Sequence, residues 1–394
     1  MATTLPLKHR LPSIDILRGL IMLIMALDHT RDFFYYAGQN PTNLATTTPL
    51  LFFTRWITHF CAPTFVFLSG VSAYLSGIKK TKPELSAYLI KRGVWLIWVE
   101  IIVMTLILTL NPAYNAIVLD ILWAIGFSMI LLGLLVRLPI KIITIIGCVI
   151  FFGHDILDLV TLPATGPGAV LIKMFFTAFG TVLPINSHYF VFDLYAIIPW
   201  TGVMLLGYCF GSLYKHGINP DARKKLLLLT GICVTVLFIL LRILNFYGDP
   251  VPWGAQRDGV YSLLSFLNTS KYPPSLLFLC MTLGPVLIIL ALVEKAQSRF
   301  ARLLIVYGNV PFFYYVLHFL VLRVVNVIFF FAAGFTTSQI KVPGSPFLFS
   351  PATFGYPLWV VYLLWFCLIV AMYWPCKWYG KYKQTHNNWW LSYL

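Results

Sequence analysis

The chain has 394 residues, 59% of them hydrophobic and only 10% charged, with a mean hydropathy of +0.84. A soluble domain is about a quarter charged, so the composition excludes a soluble globular protein and predicts an all-α polytopic transmembrane bundle. The formal charge of +15 does not mark a nucleic-acid binder. Most Lys and Arg sit in short clusters flanking apolar runs, where they orient a membrane chain and attract anionic headgroups.

Apolar runs of spanning length fall at 11–35, 51–77, 86–110, 116–136, 140–160, 190–213, 224–246, 273–293, 302–333 and 356–376, predicting about ten helices. Leu171 to Leu183 reads as an interfacial or re-entrant piece. The run at 302–333 is long, and Gly308 and Pro311 mark where it tilts or breaks. No polar stretch reaches the roughly 40 residues of a small independent domain, so the chain reads as one integral membrane domain over 1–394. Its first apolar segment is too long and too charged for a cleavable signal peptide, and it lacks a small-x-small cleavage site.

Every second connection is basic: Lys8 and Arg10; Lys79, Lys80 and Lys82; Arg137 and Lys141; Lys215, Arg223, Lys224 and Lys225; Lys295, Arg299 and Arg302; Lys377, Lys381 and Lys383. The positive-inside rule places these loops and both termini in the cytoplasm. The alternate connections, near 37–50, 161–190, 247–272 and 334–355, are poorer in Lys and Arg and face outward. The C-terminal WWLSY suits the cytoplasmic headgroup region. Cys61, Cys148, Cys209, Cys233, Cys280, Cys367 and Cys376 lie within or beside apolar runs with no pairing pattern. They read as small hydrophobes, supporting neither a disulfide framework nor a metal site.

The first helix is the most informative. From Arg10 to Phe34, seven ionisable side chains occupy one apolar segment, although such groups are costly in hydrocarbon and normally face a bundle interior or a wet cavity. With His29 as zero and about 100° per residue, Arg18 lies about 20° away, Asp15 about 40° and Asp32 about 60°, with Met22 and Met25 on the same face. Arg18 and His29 are about 16 Å apart along the axis. This face reads as one wall of a polar passage, with Asp15 and Arg18 at its cytoplasmic end and His29 near its outer end. A carboxylate beside His29, Asp28 or Asp32, would hold the ring, and the pair would take a proton from an incoming hydroxyl or amine. The plainer alternative makes His29 a packing residue, with Asp28 and Arg31 reaching into headgroups.

Further candidates gather at the outer side. Arg55 and His59 share one face of the second helix; His59 lines the same cavity as His29 or bonds a neighbouring carbonyl. Pro63 permits a kink, and Ser69, Ala73 and Gly77 form a small-residue ladder for helix contact. Asp120 and Asp193 come to similar outer depth, and Tyr195 and Trp200 below Asp193 suit a sugar ring, a thioester-bearing ligand or an aromatic belt. Lys271, Tyr272, Pro273 and Pro274 open the eighth helix, whose N–H groups and positive dipole suit an anionic oxygen; an ordinary helix start explains them too. His318, near mid-membrane, faces inward, as substrate contact or as partner to a buried carbonyl. There is no Walker motif, HExxH, GxSxG or cysteine–histidine metal pattern.

RLPSIDILRGLIMLIMALDH resembles the opening of the transmembrane acyltransferase superfamily, which has a basic residue, LD-x-LRG and a His ending helix one. FCAPTFVFLSG, KYPPSLLFLCMTLGP and NVPFFYYVLHF resemble blocks of the bacterial heparan-α-glucosaminide N-acetyltransferase-like membrane proteins, in order and spacing from Arg10 to about Arg323. Animal lysosomal members carry their catalytic His in the first luminal loop, whereas AGQNPTNLATTTPLL here has none, so the likeness follows the bacterial pattern. The resemblance implies an acyl-CoA (acetyl-CoA) co-substrate and a sugar, glycan or amino-sugar acceptor; the missing metal-ligand spacing predicts no metal. It places acyl transfer at His29, with Arg18 as the LRG arginine.

The sequence thus predicts an acyltransferase of a bacterial inner membrane. His29, Asp28 and Asp32 are its catalytic group, and Asp15, Arg18 and Lys271 bind the acyl-CoA. His59, Arg55, Asp193, Trp200 and His318 bind the acceptor. Lipids are its surroundings, nucleic acid is not a partner, and a homodimer is compatible. The rival is a transporter or flippase moving a sugar, lipid or anion through the same passage, against which stands the lack of an internal repeat.

Overall fold

The computed structural model describes residues 11–36, 39–160, 166–177, 181–186, 188–341, 345–386, 388 and 391. Lys8, Arg10 and all of WWLSY except Leu391 lie outside them. The principal helices are α1 (Pro12–Phe34), α2 (Pro49–Gly77), α3 (Lys82–Thr109), α4 (Ile121–Leu135), α5 (Ile140–Leu159) and α6 (Ile197–Tyr214). They continue with α7 (Pro220–Leu244), α8 (Leu276–Leu292), α9 (Arg299–Gly308), α10 (Pro311–Ala332) and α11 (Leu358–Thr385). Among the described residues, seven of these are long and apolar enough to cross a membrane: α2, α3, α5, α6, α7, α10 and α11. Helix α1 is also of spanning length, at 23 residues, but carries Asp15, Arg18, Asp28, Arg31 and Asp32. The run at 302–333 is broken where Gly308 and Pro311 lie, ending α9 and starting α10 with Pro311 in the first turn.

Each apolar run contains a helix, but two begin as strands. Residues 116–119 and 190–193 are strands β1 (Ala116–Leu119) and β3 (Phe190–Asp193), joined by β2 (Thr181–Pro184) in the order β1-β3-β2. β1 runs parallel to β3 and β2 antiparallel to it. Their β-branched and aromatic residues favour the pleat, and Leu119 pairs with Asp193. Asp120 and Asp193 therefore reach one level through a sheet, not through two helix ends.

Helix α1, with five charged residues, is largely enclosed. α1 packs along α9 and against α2, α10 and α11. The outer faces of α5, α7 and α11 instead expose Ile145, Val149, Leu240, Leu244, Trp374 and Trp378. So broad an apolar surface is what a bilayer covers. The basic connections meet at one end: Lys82 donates to the carbonyls of Arg137 and Leu138, Lys295 pairs with Asp221, and Arg223 pairs with Glu294, which also accepts from Ser13. The alternate connections meet at the other end, where Tyr35 bridges Tyr356, Tyr261 Oη donates to Thr47 and Asn268 donates to Thr42.

Two local expectations change. Just before Pro63, α2 tightens into a 3-10 stretch at Ile57–Phe60, the adjustment expected where a proline removes a helical N–H. Its tight crossing is not at the Ser69–Ala73–Gly77 ladder but at Gly70, where a Cβ would lie 2.1 Å from the Met204 carbonyl oxygen. Ser69 and Ala73 line a cavity instead.

The closest approach in the bundle joins α1 to α9. A Cβ on Gly308 would sit 1.9 Å from the Asp15 carbonyl oxygen, and one on Gly19 would sit 2.0 Å from that of Leu304. Backbone meets backbone here, so no rotamer can relieve the clash. Gly308→Ala is expected to cost about 1–3 kcal/mol by forcing the helices apart. Thermal unfolding of purified protein in detergent checks this, and an unchanged midpoint would contradict so close a crossing.

Candidate active site

The predicted face of α1 divides between two cavities. Arg18 and Met22 line an inner one of about 300 Å³, at the end of the bundle where the basic connections meet. Met25, Asp28, His29 and Asp32 line an outer one of about 340 Å³. Phe65, Ile121 and Tyr315 line both, so the cavities meet at these three side chains. The inner cavity gathers cations and hydroxyls: Arg92, Lys383, Ser72 and Ser76 join Arg18. Arg18 is fixed there by Asp15 at 2.9 Å, the Gly308 carbonyl at 3.2 Å and Ser72 Oγ at 3.1 Å. Asp15 itself is buried beneath Arg18 and positions it.

In the outer cavity, the ring of His29 does not take a carboxylate as its hydrogen-bond partner, contrary to the sequence expectation. Its Nδ1 lies 2.7 Å from Nε2 of His318, whose own Nδ1 lies 2.9 Å from the Tyr314 carbonyl oxygen. The proton positions follow from the partners. A carbonyl only accepts, so His318 Nδ1 carries a proton, and its Nε2 accepts from His29 Nδ1–H when both rings are neutral. The lone pair of His29 then resides on Nε2. Phe319 stacks on the same ring, with centroids 4.1 Å apart.

The carboxylates are engaged elsewhere. Asp28 accepts from Arg31 at 2.7 Å, Arg55 at 2.5 Å and Thr58 at 2.8 Å, joining α1 to α2. Asp32 pairs with Arg31 at 2.6 Å, and its side chain is 51% exposed, at the cavity mouth. Asp28 and Asp32 are thus charge partners to arginines beside His29.

Lys271 also belongs to the outer cavity, away from Arg18 and Asp15, with its ammonium 4.9 Å from the Tyr272 ring centre. The anion site expected at the start of α8 is already filled. That helix begins at Leu276, after both prolines; Asp155 accepts from the Leu276 N–H at 2.8 Å and Ser275 Oγ from that of Phe278 at 3.0 Å. Of the expected acceptor-binding residues, Arg55 lines the outer cavity and His318 stands behind His29. His59, Asp193 and Trp200 are buried away from both cavity surfaces.

Arg92, Tyr315 and Phe319 escaped the sequence reading, and so did the acid that caps α4. Asp120 precedes α4, yet its own side chain makes no capping bond. Glu100, fully buried in the π-helical stretch Val99–Met104 of α3, accepts from the Leu122 N–H at 2.9 Å instead. This external cap leaves the Asp120 carboxylate to the outer cavity, where Tyr195, Tyr272, Phe33 and Phe347 provide aromatic surface. The available signal was a lone acid inside an apolar run. Among the described residues, no group of three His, Cys, Asp or Glu is placed to hold a metal ion.

The model of the family described as heparan-alpha-glucosaminide N-acetyltransferase, catalytic, matches residues 10–242. The chain belongs to that family. Within the matched stretch of this heparan-alpha-glucosaminide N-acetyltransferase family member lie Arg18, Asp28, His29, Arg55, Phe65, Arg92 and Asp120. Lys271, Tyr315 and Lys383 lie beyond it and complete the same two cavities, and His318, behind His29, lies beyond it too. No curated protein matches the chain. Membership places the chain in a family of membrane acetyltransferases.

The charge cluster beside His29 is open to a direct test. Asp28→Ala leaves Arg31 and Arg55 without their shared carboxylate, an expected loss of about 3–5 kcal/mol for a buried pair. Asp32→Ala, at the exposed mouth, is expected to cost under about 1 kcal/mol. Thermal unfolding of the two variants compares them, and equal losses would contradict the central place given to Asp28.

Proposed function

We propose that this chain is a multi-pass acyltransferase of a bacterial inner membrane. It takes an acyl group, acetyl in the simplest case, from acyl-CoA and gives it to a hydroxyl or amine of a sugar or glycan near the outer face. The observation that carries the reading is the meeting of the two cavities at Phe65, Ile121 and Tyr315, with the His29 Nε2 lone pair on the outer side. Arg18, Arg92 and Lys383 suit the phosphates of CoA. They stand at the end that the basic connections assign to the cytoplasm, with both termini. The outer aromatic surface with Asp120 and Lys271 suits a sugar, by stacking and by polar bonds to its substituents.

The reaction follows from these roles. An acceptor O–H or N–H attacks the thioester carbon while His29 Nε2 takes its proton. The new bond forms as the C=O electron pair moves to oxygen. Collapse then breaks the C–S bond, and the departing thiolate recovers the proton from the imidazolium as CoA thiol. His318 accepts from Nδ1 throughout and fixes the tautomer. Transient acylation of His29 is the alternative route. Arg31 and Arg55 lie near a positive imidazolium, and Asp28 between them offsets their charge.

His29→Ala is expected to lower acyl transfer by at least about 10²-fold, the usual contribution of a general base, with unfolding unchanged. Retained turnover would overturn the assignment. His318→Ala is expected to lower kcat by about 10²-fold through loss of ring orientation and to alter the pH profile, with little change in KM for acyl-CoA. The break between α9 and α10 also suits a transporter with discontinuous helices. Sugar or lipid flux in liposomes without acyl-CoA, with no thioester cleavage, would establish that rival.

A further inference from the structure

Several buried tyrosines, Tyr214, Tyr314, Tyr315 and Tyr379, have hydroxyl oxygens with no hydrogen-bond partner among the described residues. Of these, Tyr315 alone lines either cavity, and it lines both. It is 6% exposed. A buried tyrosine hydroxyl normally finds a partner, and leaving one unmade costs about 1–3 kcal/mol. Phe65 and Ile121, which share the junction with it, have no polar side-chain atom. The Tyr315 Oη is thus the sole side-chain hydrogen-bonding group among the three residues where the two cavities meet.

Its placement is tied to that of His29. Tyr315 packs edge-on against Phe319 with ring centres 5.3 Å apart, and its ring lies 5.9 Å from that of His318. Phe319 and His318 are the two residues that hold the His29 ring, by stacking and by hydrogen bond. One stretch of α10 therefore orients both the base and the donor. An acyl thioester entering from the inner cavity has to bring its carbonyl through this junction to reach an acceptor beside His29.

We propose that Tyr315 donates its phenolic O–H to the carbonyl oxygen of the acyl thioester. It holds the acyl carbon at the junction and stabilises the oxyanion that forms when the acceptor attacks. This rests on the acyltransferase reading and adds the electrophilic half of the site to the base. The proton stays on Tyr315 while the C=O pair moves to oxygen and returns, so the overall exchange remains acyl thioester plus acceptor giving acylated acceptor plus CoA thiol. A donor aimed at developing negative charge in a dry site contributes about 10²–10³-fold to kcat.

Tyr315→Phe keeps the ring and removes only the Oη. With purified protein and acetyl-CoA, kcat is expected to fall about 10²-fold. Binding of S-ethyl-CoA, a thioether with no carbonyl oxygen, is expected to stay within about twofold, since no bond to the lost group exists there. The melting temperature is expected to hold or rise, because the native hydroxyl is unpartnered. Wild-type kcat in the variant, an equal loss of S-ethyl-CoA binding, or a marked drop in melting temperature would each overturn the role of Tyr315. The first of these would leave the acyltransferase reading standing, because the wild type still turns over. A wild type that cleaves no acyl thioester would overturn that reading and this inference together.

Discussion

Asp28 accepts from two arginines and a threonine while lying deep within a bundle that hydrocarbon surrounds. Isolated, any of these charges would be expelled from such surroundings. Together they form a nearly closed unit that pins α1 to α2 one residue before His29. The enclosure of α1 follows from the same cost. The charged residues of α1 are packed inside the bundle by α2, α8, α9, α10 and α11, while α5, α7 and α11 expose broad apolar surface. The two cavities lie along the face of α1 that carries Arg18, Met22, Met25, Asp28, His29 and Asp32.

Helical phase made much of this legible from the chain alone. One wall of each cavity comes from α1, and local periodicity dictates which side chains share that wall and in what order. The break between Gly308 and Pro311 was visible for an equally local reason. The partner of His29 was not, because His318 lies 289 positions away and only packing of α10 on α1 brings it near. The sheet was hidden since β1 and β3 run directly into apolar helices, and a short buried strand has no period of its own beside one. Glu100 was overlooked although its signal was present, and its true work, capping α4 from another helix, depends on a tertiary contact no window contains.

The family match ends within α7, yet the cavities do not. Residues from α10 and α11, and from the turn before α8, supply a phenol and two lysines to surfaces begun by the first half, and an imidazole behind His29. The first half carries the invaginated charge, and the second half orients it. Arg323 shows how the second half also closes the outer side. Fully buried, it donates to Asn326 at 2.7 Å and to the Leu348 carbonyl at 2.8 Å, anchoring the segment that brings Phe347 and Ser350 to the outer cavity.

Two charge-lined cavities that share a junction would have an electrical consequence for the cell if water joined them. Moving one ion across a membrane releases about 2.3 kcal/mol for each 100 mV of potential, so a continuous column of water here would drain the energy that drives the host's other transport. Phe65, Ile121 and Tyr315 line both cavities, and an apolar constriction at such a junction blocks ions by refusing to wet. Under the proposed function, the three side chains that the acyl thioester passes would also keep the membrane an insulator.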